Sequence, residues 1–284
     1  MHIRFFLLIS TCLLIPLTTV GGIAQCQRPN STPTPSPIPR TFKLLTTLYN
    51  EKNDQRATEF ITCMENNLRN SSIDTIHVLY DTAKDDKQGS VILTYLKSRN
   101  ITISYIPERA TYGDFFKLAN ERYSRCKIIV SNADIFFNET LTALEPYDVS
   151  NKFLTLTRWN VDRDGTLVAF DPTGGCQDTW IFQTPLPKFE NDAIKIGILE
   201  CEHAIAYQAK QSGLELCNPS LSIQCCHLHL SEIRNYARTT PYRNMGKIRI
   251  IPKCTVMEID EQQRNLFRKN LRVNAGRRKP IIVG

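Results

Sequence analysis

Apolar positions in the first half of the chain fall into short runs, set between stretches with a helical repeat. Residues 42–49 read as a strand. Residues 54–68 read as a helix, because Ala57, Phe60, Ile61 and Met64 share one face at three- and four-residue spacing. The strand signal returns at 75–80, 101–106 and 127–131, and the helical one at 90–98 and 112–123. Strands alternating with helices predict an α/β fold: a mixed, mainly parallel sheet flanked by helices in a single domain. Ligands of such sheets bind beyond the carboxyl ends of the strands, so the residues after Tyr49, Ile106 and Ser131 are the first to inspect. Past residue 150 the pattern loosens. Strands are predicted at 153–157, 180–183 and 221–230, and a helix at 201–212 is stopped by Gly213.

The two ends of the chain follow different rules. Residues 1–24 carry one early base, Arg4, then an apolar run and small residues ending at Ala24. This is the layout of a signal peptide cut after Ala24. Read uncut, residues 5–24 are about as long as a bilayer span, and the same segment is a signal anchor. Either way the remainder faces the lumen of the secretory pathway or the outside. Residues 25–40 include RPNSTPTPSPIPR, whose five prolines suit an extended stem. The folded domain is expected over 41–253, with a basic tail at 254–284. Four N-x-S/T sequons, at Asn30, Asn70, Asn100 and Asn138, fit a lumenal glycoprotein. So do nine cysteines outside the leader, a load that suggests disulfides. Nine is odd, so at least one thiol lies outside any internal pairing, and no spacing matches a zinc site.

The net charge of +7 changes meaning once it is located. Seven bases and no acid stand between Arg264 and Lys279; apart from these and Arg4, 27 basic residues face 28 acidic ones. A near-neutral domain is not a nucleic-acid surface.

The chemistry concentrates in KIIVSNADIFFNETL, residues 127–141, where an apolar strand ends in Asn132, Ala133 and Asp134. A divalent cation with bound phosphates needs such hard oxygen ligands on rigid backbone. The bland alternative is that Asp134 caps a turn. The segment resembles the D-x-D region of GT-A type glycosyltransferases, in the variant whose first aspartate is Asn. The resemblance implies that Asp134 ligates Mn²⁺ or Mg²⁺ and that Asn132 contacts the donor ribose or the metal's water. It runs in order from about residue 43 to 245. It implies that Tyr49, Asn50, Glu51 and Arg56 hold the base and ribose of a nucleoside diphosphate sugar, a UDP-sugar foremost. Arg109 and Tyr112 would face the diphosphate, to which a planar guanidinium fork is suited. LTLTRWN (154–160) and GGCQDTWIF (174–182) match the acceptor side, where Asp178 would orient sugar hydroxyls.

Related sequences usually carry Asp-Asn and then Arg where this chain has Glu202, His203 and Ala204. The carboxylate survives and the arginine does not. Glu202 is the first candidate base, His203 the second and Asp178 the third, although acids at a helix start are commonly caps. His227 and His229 stand two apart, on one face if the segment is a strand. By the resemblance one of them completes the metal shell, and the sequence leaves open which. Arg234, Asn235 and Tyr236 would close over the diphosphate.

The expected activity is metal-dependent transfer of a sugar to a hydroxyl of a glycan or glycoprotein. Two rivals remain. One is a catalytically silent, secreted module on the same fold that binds glycans or protein, favoured by the changes at 202–204 and by a sequon at Asn138 beside Asp134. The other is a lumenal metal-dependent phosphoesterase, disfavoured because the sequence shows no cluster of several Asp and His residues typical of two-metal sites.

Overall fold

The computed structural model describes residues 41–85, 89–234, 241–242 and 244–260. The leader, the stem with Asn30, Asn235, Tyr236 and the basic run after residue 260 lie outside the described residues. Among the described residues no helix is long and apolar enough to cross a membrane.

Along the chain run β1 (Phe42–Tyr49), α1 (Asp54–Arg69), β2 (Ile73–Asp81), α2 (Val91–Lys97), β3 (Thr102–Ile106), α3 (Tyr112–Arg122) and β4 (Lys127–Ser131). Then come β5 (Ile135–Phe137), β6 (Lys152–Val161), β7 (Leu167–Ala169), β8 (Gln177–Gln183), α4 (Cys201–Gln211), β9 (Glu215–Cys217) and β10 (Cys225–His227). The helices start where side chains satisfy their free N–H groups. The Asn53 side chain accepts from the Arg56 N–H at 3.0 Å and Ser90 caps α2, while Thr111 and Asp114 close a reciprocal capping box on α3.

The sheet order is β3-β2-β1-β4-β8-β6-β10-β5, with β7 and β9 also paired to β6. β1 to β4 are mutually parallel, and β8 enters antiparallel between β4 and β6. The result is the expected α/β class with a mixed, mainly parallel sheet between helices. Side-chain alternation splits the core in two. Ile129, Leu154 and Leu156 pack with α1 and α2, whereas Ile128, Val130, Phe153 and Phe182 pack with α3 and α4.

Three features depart from the sequence expectations. The strand expected over 221–230 is only Cys225–His227, since Ser222 and Ile223 turn back onto the Pro219 carbonyl and Leu228 bonds to Asp134 instead. Apolar packing continues past Lys253 into buried Cys254, Val256 and Ile259, so the segment from 254 does not begin as a solvated tail. The disulfide expectation is not met among Cys63, Cys126, Cys176, Cys201, Cys225, Cys226 and Cys254, which are thiols. Burial raises each of them, which keeps them protonated and unreactive.

Candidate functional site

The site forms where the parallel strands end. β4 finishes at Ser131, and the chain turns through Asn132 and Asp134 into β5. β10 pairs with β5 on one side and β6 on the other, setting His227 opposite both Ile135 and Asn160. The Leu228 N–H then donates to the Asp134 carbonyl at 2.9 Å. Sheet register therefore brings together two residues that lie far apart in sequence.

Asp134, His227 and His229 offer ligand atoms that all lie within 4.8 Å of one another. Asp134 Oδ2 is 3.3 Å from His227 Nε2 and 4.0 Å from His229 Nδ1. The far nitrogens of both rings meet pure acceptors: His227 Nδ1 lies 3.0 Å from Asn160 Oδ1, and His229 Nε2 lies 2.9 Å from the Ile233 carbonyl. A neutral ring that gives its one N–H to that acceptor turns a lone pair toward Asp134, the arrangement by which outer partners fix ligating histidines, whereas a ring protonated on the near nitrogen donates to the carboxylate. Asp134 is 8% exposed, and its Oδ1 is buried without a hydrogen-bond partner. An unpartnered Oδ1 on a carboxylate whose Oδ2 faces two imidazole nitrogens fits a divalent cation, and Mn²⁺ accepts both donor types.

Arg56 belongs to this cluster. Its Nη2 donates to Asp134 Oδ2 at 2.5 Å and its Nη1 to Glu59 at 2.7 Å. Glu59 in turn accepts from the Ser231 N–H at 2.6 Å, tying the loop after β10 to α1. Burial alone would push the Asp134 carboxyl up, but the facing His227 and the Arg56 guanidinium outweigh it and hold the group well below the usual carboxylate range.

A cavity of about 340 Å³ reaches from this cluster to Glu202, lined among others by Tyr49, Arg109, Asn132 and Asp178. An adjoining cavity of about 730 Å³ shares Arg158, Phe170, His227, His229 and Arg234 with it. Arg109 donates to the Ile196 carbonyl at 3.2 Å, against Gly197 at a φ of +68°, where an added Cβ would come within 3.3 Å of the guanidinium.

The three candidate bases separate clearly. Glu202 opens α4 and lines the cleft with its side chain 19% exposed, and burial, with Asp178 adding to it, pushes its carboxyl up to about 7. Asp178 has one oxygen on Asn132 Nδ2 at 2.7 Å and the other on Arg158 Nη1 at 3.0 Å, which makes it a bracket. His203 turns its Nε2 to the Gly175 carbonyl at 2.9 Å and is not part of the cleft lining. Asn50 and Glu51 are likewise occupied. Asn50 donates to the Gly89 carbonyl at 3.3 Å, and Glu51 accepts from Tyr49 and the Asn53 N–H at 2.9 Å each. Arg158, Phe170 and Asn160 were not singled out from the sequence. Arg158 and Asn160 stand two apart on β6, so strand alternation was the available signal. The Arg158 guanidinium stacks 4.0 Å from the Phe170 ring centre.

No protein-family model matches the chain, and no curated protein matches it. Among solved structures it is similar to GalNAc-T7 with UDP, GalNAc and Mn²⁺, at 10% identity and a TM-score of 0.47 over 74% of this chain and 46% of that one. It is also similar to the mannosyltransferase PcManGT from Pyrobaculum calidifontis in complex with GDP-Man and Mn²⁺, at 13% identity and a TM-score of 0.44, over 74% and 62%. A third is S. aureus TarS 1–349, at 14% identity and a TM-score of 0.39, over 66% and 58%. These neighbours are GT-A type glycosyltransferases. The chain spans between 46% and 62% of their lengths, and at these TM-scores the likeness adds no weight to any residue of the site.

Proposed function

We propose that the chain is a metal-dependent glycosyltransferase that moves a sugar from a nucleoside diphosphate donor, of the UDP type, to a hydroxyl of a glycan or glycoprotein in the secretory pathway. The observation that carries this reading is one cleft holding the Asp134 carboxylate, its Oδ1 unpartnered and its Oδ2 facing two imidazole nitrogens, with Glu202 in the same lining. A divalent ion held by Asp134, His227 and His229 would neutralise charge building on the leaving diphosphate. Arg109 and Arg234 line the same cleft, where cationic groups suit the phosphates. Tyr49, at the end of β1, offers a ring to the base.

In this reading ionised Glu202 accepts the proton of the acceptor hydroxyl. The hydroxyl oxygen bonds to the anomeric carbon, and the bond from that carbon to the diphosphate breaks with its electron pair on the diphosphate. A group titrating near 7 combines availability with proton affinity at neutral pH. Asp178, clamped by Asn132 and Arg158, orients and does not take the proton.

One observation favours the silent binding module instead: Arg56 already pairs with Asp134 at 2.5 Å, as it would in a structural ion pair. Titrating UDP into the full chain separates the two readings. Binding that requires Mn²⁺, fails in EDTA and is lost in Asp134→Ala supports the transferase. Unchanged behaviour with and without metal in a folded sample supports the module.

A further inference from the structure

Three of the sequons lie among the described residues, and their asparagines sit in opposite environments. Asn70 ends α1, and its Nδ2 donates to the carbonyls of Phe137 and Asn138, each at 2.9 Å. Its Oδ1 accepts from the Ser72 N–H at 3.0 Å, and the Ser72 hydroxyl, on a fully buried residue, donates to Glu145 at 2.7 Å. Both amide hydrogens are therefore spent inside the fold. Asn138 donates from Nδ2 to Gln224 Oε1 at 2.5 Å, while its Oδ1 accepts from Thr140 Oγ1 at 2.6 Å. The Gln224 N–H returns to Thr140 Oγ1 at 2.9 Å, which closes a loop of bonds next to β10. Asn100 differs on every point. It lies in the turn between α2 and β3, it and Thr102 are exposed, and its side chain has no hydrogen bond among the described residues.

N-glycosylation replaces one Nδ2 hydrogen with a bond to the sugar's anomeric carbon. That carbon leaves a lipid-linked oligosaccharide diphosphate, the C–O bond breaks with its electron pair on the diphosphate, and the displaced amide proton goes to solvent. At Asn70 the reaction would take the donor from one of the two carbonyls, and at Asn138 it would leave a single N–H to hold Gln224 with a sugar on the same nitrogen. A buried polar group left unpaired destabilises the fold, before any room is found for the glycan. At Asn100 nothing is lost.

We propose that Asn100 is the N-glycan attachment site of the folded protein among Asn70, Asn100 and Asn138, and that a glycan on either of the other two is incompatible with the native fold. The inference rests on passage into the lumen, as the leader predicts, and not on the transferase reading. It also removes one ground for the silent module: the Asn138 side chain is a structural brace for the strand that carries His227, so no glycan crowds the cleft from there.

The test is to secrete the full chain from a eukaryotic host and, in a second arm, to replace residues 1–24 with the host's own leader so that delivery is assured. Enzymatic release of glycans in ¹⁸O water followed by peptide mass spectrometry then reads the occupancy of each asparagine. The expected result is a labelled aspartate at 100 and unlabelled asparagines at 70 and 138 in the folded, monodisperse fraction. Asn100→Gln should shift the band by one glycan, with no shift for Asn138→Gln. An unmodified Asn100 in the second arm would overturn the proposal, and so would occupied Asn70 or Asn138 in that folded fraction.

Discussion

The two ends of the cleft hold carboxylates in opposite electrostatic states. Asp134 is surrounded by Arg56, His227 and His229 and is held low, so it is charged at every physiological pH. Glu202 is mostly buried, has no lysine or arginine paired with it among the described residues and is pushed up to about 7, so it changes charge where the cell works. Desolvation acts on both in the same direction, and only the neighbours differ. A permanent anion suits the binding of a cation, and a poised one suits the movement of a proton. The contrast supports the proposed roles more firmly than the residue types do.

The comparison is broken most severely by taking the charge from Glu202. Glu202→Gln keeps the shape and should lower kcat about 10²–10⁴-fold, the usual worth of a general base, with UDP affinity in Mn²⁺ unchanged. The wild-type rate should rise as pH passes through about 7, because only the ionised carboxylate accepts a proton, and the variant should lack that limb. A pH profile that survives the substitution would move the base elsewhere.

Asp134→Ala attacks the other end. It leaves the buried Arg56 without its closest partner, and losing one member of a buried pair typically costs about 3–5 kcal/mol. Urea unfolding in EDTA should show this before any metal is added. A loss below about 1 kcal/mol, as at an exposed pair, would mean that the guanidinium is not held as described.

The same two groups should tilt stability in opposite directions with pH. The folded pKa of Asp134 is depressed, so its contribution is present above the ordinary value of 3.8 and is lost as pH falls toward the lower folded one. That of Glu202 is raised from 4.5 to about 7, so folding is favoured most below 4.5 and weakens as pH climbs through 7. The loss is on the order of 3 kcal/mol by pH 8. Burial sets this window, with Asp178 and Glu200 adding to it and the Cys201 side chain opposing it. Melting curves from pH 5 to 8 should therefore converge on a flatter line in Glu202→Gln, and parallel lines for the two proteins would refute the raised pKa.

How much of this was legible beforehand varies with the distance over which each residue acts. β1 through β4 followed from local repeats, since each of their elements satisfies its own backbone and alternates its own faces. Asp134 was visible as an acid at a strand end, and His227 and His229 as a pair on one short segment. Asn160 was not, because its meaning comes only from the β6–β10 register that sets it opposite His227. Asp178 read as a free carboxylate because nothing nearby in sequence announces Arg158 and Asn132 as its clamps. β5, β7 and β9 have three residues each, too few to show any period.

The finest test of the comparison is at Asn160. In the proposed reading the Asp134 end differs from the Glu202 end not only in charge but in having its ligands pre-set, and Asn160 would do this for His227 by accepting at Nδ1, 3.0 Å away. Asn160→Leu keeps roughly the size of the side chain and removes the acceptor, so the ring is free to carry its proton on the nitrogen that should face the metal. Loss of such an outer partner typically weakens metal binding about 10–100-fold. Calorimetric Mn²⁺ titration should show that drop, whereas Asn160→Asp, which keeps an acceptor oxygen, should retain most of the affinity. The ¹⁵N shifts of His227 in the metal-free protein supply a readout that packing alone would not move. In the parent they should report a proton on Nδ1, and in Asn160→Leu that proton should be lost from Nδ1 in favour of the nitrogen facing Asp134. If both proteins show the same tautomer, the geometry of His227 is fixed by its strand pairing with Ile135, and Asn160 is a neighbour without that role.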